Sequence, residues 1–153
     1  MARRTRLLGA VIAAALLAVP TWGSAASAGS HSVVFLGTVL LGENEVPGPG
    51  DPDGLGFAGV KINTRGQACW GIGVRRIVAP TAAHIHEGDA GVAGPVVVTL
   101  SPPPEDGHTR GCTPVDPALA EAIAADPSHY YVNVHNADYP SGAVRGQLEP
   151  LGG

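Results

Sequence analysis

The sequence predicts an all-β domain, a Greek-key-like sandwich or barrel of about seven to eight strands with one short helix. Two observations predict the strands. Glycine (22) and proline (14) are abundant, yet they alternate with short β-rich runs instead of forming one low-complexity block. Turn-forming clusters recur between those runs, as tightly connected strands require. A third observation adds the helix, since only one stretch carries helix start and stop signals.

Ser32 to Leu41 is the first strand candidate. Pro47 to Gly56, reading P-G-P-G-D-P-D-G-L-G, is a loop of turn formers. Phe57 to Asn63 and Gln67 to Val74 form a hairpin turning at Thr64-Arg65-Gly66. Ala82 to His86 is a short strand, Gly88 to Gly94 a glycine-rich turn, and Pro95 to Leu100 a β-branched return. Ser101 to Gly111 reads as a polar, proline-rich loop. The helix follows: Asp116 suits the N-cap, Pro117 the first helical position, and Leu119 and Ile123 share one face before Pro127 stops the run. Tyr130 to His135 and Ala143 to Glu149 complete the strands, joined through Pro140-Ser141-Gly142. No internal repeat and no second domain is evident.

The start of the chain reads as an export signal over residues 1–28. Arg3, Arg4 and Arg6 form a basic head, and Leu7 to Val19 is an apolar run of 13 residues. That run is short for a bilayer span, and Ala26-Ser27-Ala28 fits an A-x-A cleavage site. Cleavage there leaves residues 29–153 as one domain with no membrane span, secreted or at the cell surface. All 13 acidic residues remain with six of the nine basic ones, so the net charge moves from −4 to −7. A surface so acidic excludes nucleic-acid binding, which needs a basic face. The two cysteines, Cys69 and Cys112, suit a structural disulfide in an oxidising compartment; two buried thiols are the alternative.

The candidate site is histidine-based. His84 and His86 are one residue apart, so a strand puts both imidazoles on one face. Tyr131, Asn133 and His135 share a face of a second strand, with Val132 and Val134 on the other. If the strands are neighbours, His84, His86 and His135 converge as ligands for copper or zinc. Asn133 and Glu87 then stand behind them as orienting groups. The alternative is a hydrogen-bonded polar cluster supporting a loop. Asp89, like Glu87, is otherwise a solvated residue of a glycine-rich turn. His31, His108 and His129 read as solvated.

Five strings carry a family resemblance: L-G-E-N-E-V-P (Leu41 to Pro47), A-A-H-I-H-E-G (Ala82 to Gly88), G-P-V-V-V-T-L (Gly94 to Leu100), Y-V-N-V-H (Tyr131 to His135) and G-A-V-R-G-Q-L (Gly142 to Leu148). With these, in this order, the chain resembles the CHRD domain, a module named from chordin and found in bacterial secreted proteins. The resemblance implies an all-β extracellular domain and supplies no enzyme activity. Chordin antagonises growth-factor signalling, but this chain lacks the cysteine-rich repeats that surround the module there. Growth-factor binding is therefore not carried over.

Glu45 and Arg145 lie near the two ends of the domain and suggest a charge-assisted ion pair between first and last strands. A metal-ligand role for Glu43 or Glu45 is the alternative. Trp70, beside Cys69, is expected to pack on the disulfide. No nucleophile elbow and no phosphate-binding glycine loop is present, and no catalytic residue is assigned. The expected function is a non-catalytic extracellular binding or structural module whose partner is an extracellular protein or a metal ion. The alternative is a copper or zinc protein, redox-active in the manner of copper–zinc superoxide dismutases. That dismutase type needs a second metal cluster, which these residues do not assemble.

Overall fold

Strand alternation sorts the side chains of nine strands to two faces, and one face of each builds a shared core. The computed structural model describes residues 31–152; the expected export signal lies outside them. The strands are β1 (Val33–Leu41), β2 (Leu55–Asn63), β3 (Gln67–Arg75), β4 (Pro80–Glu87), β5 (Val96–Leu100), β6 (His108–Pro114), β7 (Tyr130–Asn136), β8 (Val144–Gln147) and β9 (Glu149–Pro150). One helix, α1 (Pro117–Ala125), precedes β7.

The strands form one antiparallel, barrel-like sheet in the order β5-β4-β7-β8-β1-β2-β3-β6, with β9 also paired to β1. The two four-stranded halves meet where Leu41 of β1 pairs with Arg145 of β8. First and last strands are thus neighbours, as expected. Pairings that skip along the chain, β4 with β7 and β3 with β6, give the Greek-key-like character.

The core runs between the halves. Leu36, Leu40, Val60, Ile62, Ile72 and Val74 come from one side, and Ile85, Val98, Val132 and Val134 from the other. Trp70 also faces this core and covers Gly111 of β6. It therefore points away from the disulfide, because neighbouring residues on a strand face opposite ways. The helix starts as its sequence dictates: Asp116 accepts from the Ala118 and Leu119 N–H groups, and Pro117 occupies the first turn. Ala120 and Ile123 bury its inner face. No helix among the described residues is long and apolar enough to cross a membrane.

One element departs from the expected layout. The segment expected to be loop up to Gly111 enters strand β6 at His108. β6 ends the sheet order, pairing only with β3, and its outward residues are exposed. Such an edge strand carries little apolar signal in its sequence.

A three-histidine candidate metal centre

The site forms where β4, β7 and β8 lie side by side. The β4–β7 register sets His84 opposite Asn133 and His86 opposite Tyr131, with His135 opposite Ala82. A register shift between Ile85 and His86 in the β4–β5 ladder marks a bulge at the H-x-H pair. One nitrogen from each of His84, His86 and His135 lies within 4.8 Å of the others. The three residues named from strand alternation are thus brought together.

Two backbone carbonyls set the imidazole tautomers. His86 Nδ1 is 2.9 Å from the Gly94 carbonyl, and His135 Nδ1 is 3.0 Å from the Pro140 carbonyl. A carbonyl only accepts, so both Nδ1 atoms carry the proton. Each Nε2 is left with a lone pair. Carbonyl-anchored imidazoles are the usual support for metal ligands. His135 Nε2 faces His84 Nδ1 at 3.1 Å, so His84 donates its N–H there in the metal-free protein. His86 Nε2 is buried and has no partner. Burial is the main cause that pushes the pKa of each histidine down. Proximity to the other histidines adds to this for His84, and His135 with Arg145 for His86. The neutral, ligating form is favoured at all three.

A layer behind His86 fixes its ring. Tyr131 stacks on it with centroids 4.8 Å apart and planes 10° apart. The Arg145 guanidinium lies 3.4 Å from the Tyr131 ring centre, reaching it from β8 on the other side. Arg145 is buried, and its Nη1 and Nη2 donate to the carbonyls of Val92 and Asp89 at 2.9 Å each. It thereby ties down the turn that carries Gly94. A Cβ at Gly94 would collide with the Glu87 carbonyl, so only glycine lets the turn close there.

A family model for the CHRD domain matches residues 36–148. The chain belongs to the CHRD domain family. No curated protein and no solved structure matches it. The matched span of the CHRD domain runs from within β1 through β8 and includes His84, His86, His135 and both cysteines. Cys69 and Cys112 are bonded and sit opposite each other in the β3–β6 register. The bond fits an extracytoplasmic location.

Four expectations about the CHRD domain's polar residues are corrected. The Glu45–Arg145 ion pair is not formed. Glu45 instead accepts from Asn133 Nδ2, 2.8 Å from both carboxylate oxygens, while Arg145 is held by backbone carbonyls. Arg145 acts on Glu45 only through its field, and burial wins: the Glu45 pKa rises to about 7. Asn133 does lie in the buried layer beside His84, but its amide holds Glu45 and orients no imidazole. Glu87 is also displaced from the expected role. Strand alternation turns it away from the triad, toward His129, whose Nε2 is 3.7 Å away. His129 is no free solvated residue either, since its Nδ1 contacts Asp89 at 2.7 Å. That hydrogen bond is the main cause raising its pKa.

The carbonyls of Gly94 and Pro140 had no signal in the sequence, because backbone oxygens carry none. Tyr131 did have one, since it shares the parity of Asn133 and His135.

Proposed function

We propose that this CHRD-domain protein is an extracellular, non-catalytic metal-binding module in which His84, His86 and His135 hold one copper or zinc ion. The observation that carries this is His86 Nε2, a buried lone pair without a partner in a site where His86 and His135 are each anchored to a backbone carbonyl through Nδ1. An orphaned buried acceptor costs about 1–3 kcal/mol. A metal ion satisfies it directly.

The donor set fits. Zinc–imidazole bonds of about 2.0–2.1 Å put tetrahedral ligand nitrogens roughly 3.3 Å apart. His84 Nδ1 and His135 Nε2 are already 3.1 Å apart, and the full set spans 4.8 Å. Neutral nitrogen donors suit zinc and copper(II), with copper the tighter by the general affinity order. Ligation through His84 Nδ1 would move that ring's proton from Nδ1 to Nε2 and leave the imidazole neutral. Redox turnover of the dismutase kind is not included, because no second metal cluster is assembled among the described residues.

Calorimetric titration of metal-stripped, untagged protein tests the proposal. One ion per chain is expected, with affinity falling about 100-fold or more in His84→Ala and His135→Ala, beyond the range for loss of an orienting group. Equal affinity in wild type and both variants would overturn it.

A further inference from the structure

The opposite half of the barrel has an outer face of different chemistry. Its residues line up across strands β1, β2, β3 and β6 in rows fixed by the register. The central row is Gly37, Gly59 and Gly71, ending on Arg110. On one side runs Phe35 next to Lys61, then the disulfide. On the other run Val39, Phe57, Gly73 and His108, with Leu55 and Arg75 beyond. Phe35 and Phe57 are 56% and 51% exposed, and Lys61, Arg75 and Arg110 are exposed too.

This face has the shape of a shallow trough. A Cβ at Gly59 would meet only Phe57 at 3.7 Å, and one at Gly71 only the Thr109 carbonyl at 4.0 Å. The floor is therefore backbone with open space above it. Leu151 closes the Gly37 end. A depression of about 450 Å³ continues past Phe57 to Arg75 and His108.

The charge distribution is one-sided. Among the described strands, Lys61, Arg75 and Arg110 all point out through this face, and the remaining strand cation, Arg145, is buried in the other half. No outward position of β1, β2, β3 or β6 is acidic. Carboxylates border it at its ends: Glu149, opposite Gly37 on β9, Asp106, which accepts from the Arg76 N–H, and Glu43 and Asp53, which line a hollow beside Leu55. A chain with 13 acidic and nine basic residues thus gathers its exposed strand cations around two exposed phenylalanines.

We propose that this trough binds a linear acidic polysaccharide. The phenylalanine rings stack against the apolar faces of sugar rings, and Lys61, Arg110 and Arg75 pair with carboxylates or sulfates along the polymer. Three other occupants fit less well. A second copy placed face to face would set cation against cation. An extended peptide gains its affinity from unpaired backbone at a sheet edge, whereas this face has its backbone paired within the sheet. An anionic bilayer favours an amphipathic segment that buries its apolar side below the headgroups. Here the apolar groups stand on a sheet, not on such a segment.

The proposal is independent of the metal site. Its test uses the whole protein and an oligogalacturonate probe, titrated at low and physiological salt. Saturable binding that weakens with salt is expected. Lys61→Gln combined with Arg110→Gln should lower affinity at least tenfold. Gly71→Leu, which fills open space without touching the core, should do the same. His84→Ala should leave it unchanged. No saturable binding to oligogalacturonate or to a sulfated dextran would overturn the proposal, as would equal affinity in the trough variants. Capture by phosphatidylglycerol vesicles without polysaccharide binding, or dimerisation lost in the trough variants without it, would assign the face to a bilayer or to a second copy instead.

Discussion

His86 lies flat on Tyr131, with ring centroids 4.8 Å apart and planes inclined by 10°, and Arg145 covers the same tyrosine at 3.4 Å. A cation, an aromatic ring and an imidazole are thus stacked through three adjacent strands, β8, β7 and β4. The stack holds His86 with its unpartnered nitrogen turned inward. Arg145 also disfavours a second positive charge on that imidazole.

Tyr131→Leu should therefore weaken copper and zinc binding about tenfold, the lower range for loss of a group that orients a ligand. Tyr131→Phe keeps the ring and should bind nearly as the wild type does. Calorimetry on both variants separates stacking from the hydroxyl.

Arg145→Met should destabilise the fold by about 1–3 kcal/mol, because the carbonyls of Asp89 and Val92 lose their donors. Arg145→Lys should recover little, since an ammonium cannot reproduce the planar stack and the two-carbonyl fork. Chemical denaturation measures both.

Glu45 and the histidines impose opposite pH dependences. The Glu45 pKa is raised from 4.5 to about 7, so its contribution to stability is full below pH 4.5 and is lost as pH rises through 7. The pKa values of His84, His86 and His135 are lowered, so their contribution is present above 6.5 and is lost as pH falls. Melting temperatures of metal-free protein from pH 5 to 8.5 should show a maximum between these limits. In Glu45→Gln the loss of stability as pH rises from 4.5 through 7 should flatten, while the loss on the acid side from the histidines persists.

The Cys69–Cys112 bond closes a separation of 43 residues, worth about 4 kcal/mol in the chain-entropy account. Cys69→Ala with Cys112→Ala should lower the melting temperature by tens of degrees at most and leave metal stoichiometry unchanged, because the bond lies on the other half of the sheet.

Much of this arrangement was legible in the sequence because strand parity is a strong constraint. Two-residue alternation placed His84 with His86, and His135 with Asn133 and Tyr131, before any pairing was known. Asp116 and Pro117 likewise announced α1. What escaped depends on contacts that parity does not encode. Opposite charges suggested a bond between Glu45 and Arg145, but Arg145 lies under the 88–94 turn, where carbonyls take its donors. Asn133 therefore became the partner of Glu45. Edge strand β6 hid because His108, Arg110 and Gly111 face little core and follow a run of prolines. The basic trough was invisible to net charge, which averages over faces that the fold keeps apart.

X-ray absorption on zinc-loaded protein tests the central claim most directly. Three histidines holding one ion predict imidazole scattering from three nitrogen donors at about 2.0–2.1 Å. His135→Ala should lose one of them and bind more weakly. A zinc shell made only of oxygen, or one unchanged in His84→Ala and His135→Ala, would contradict it.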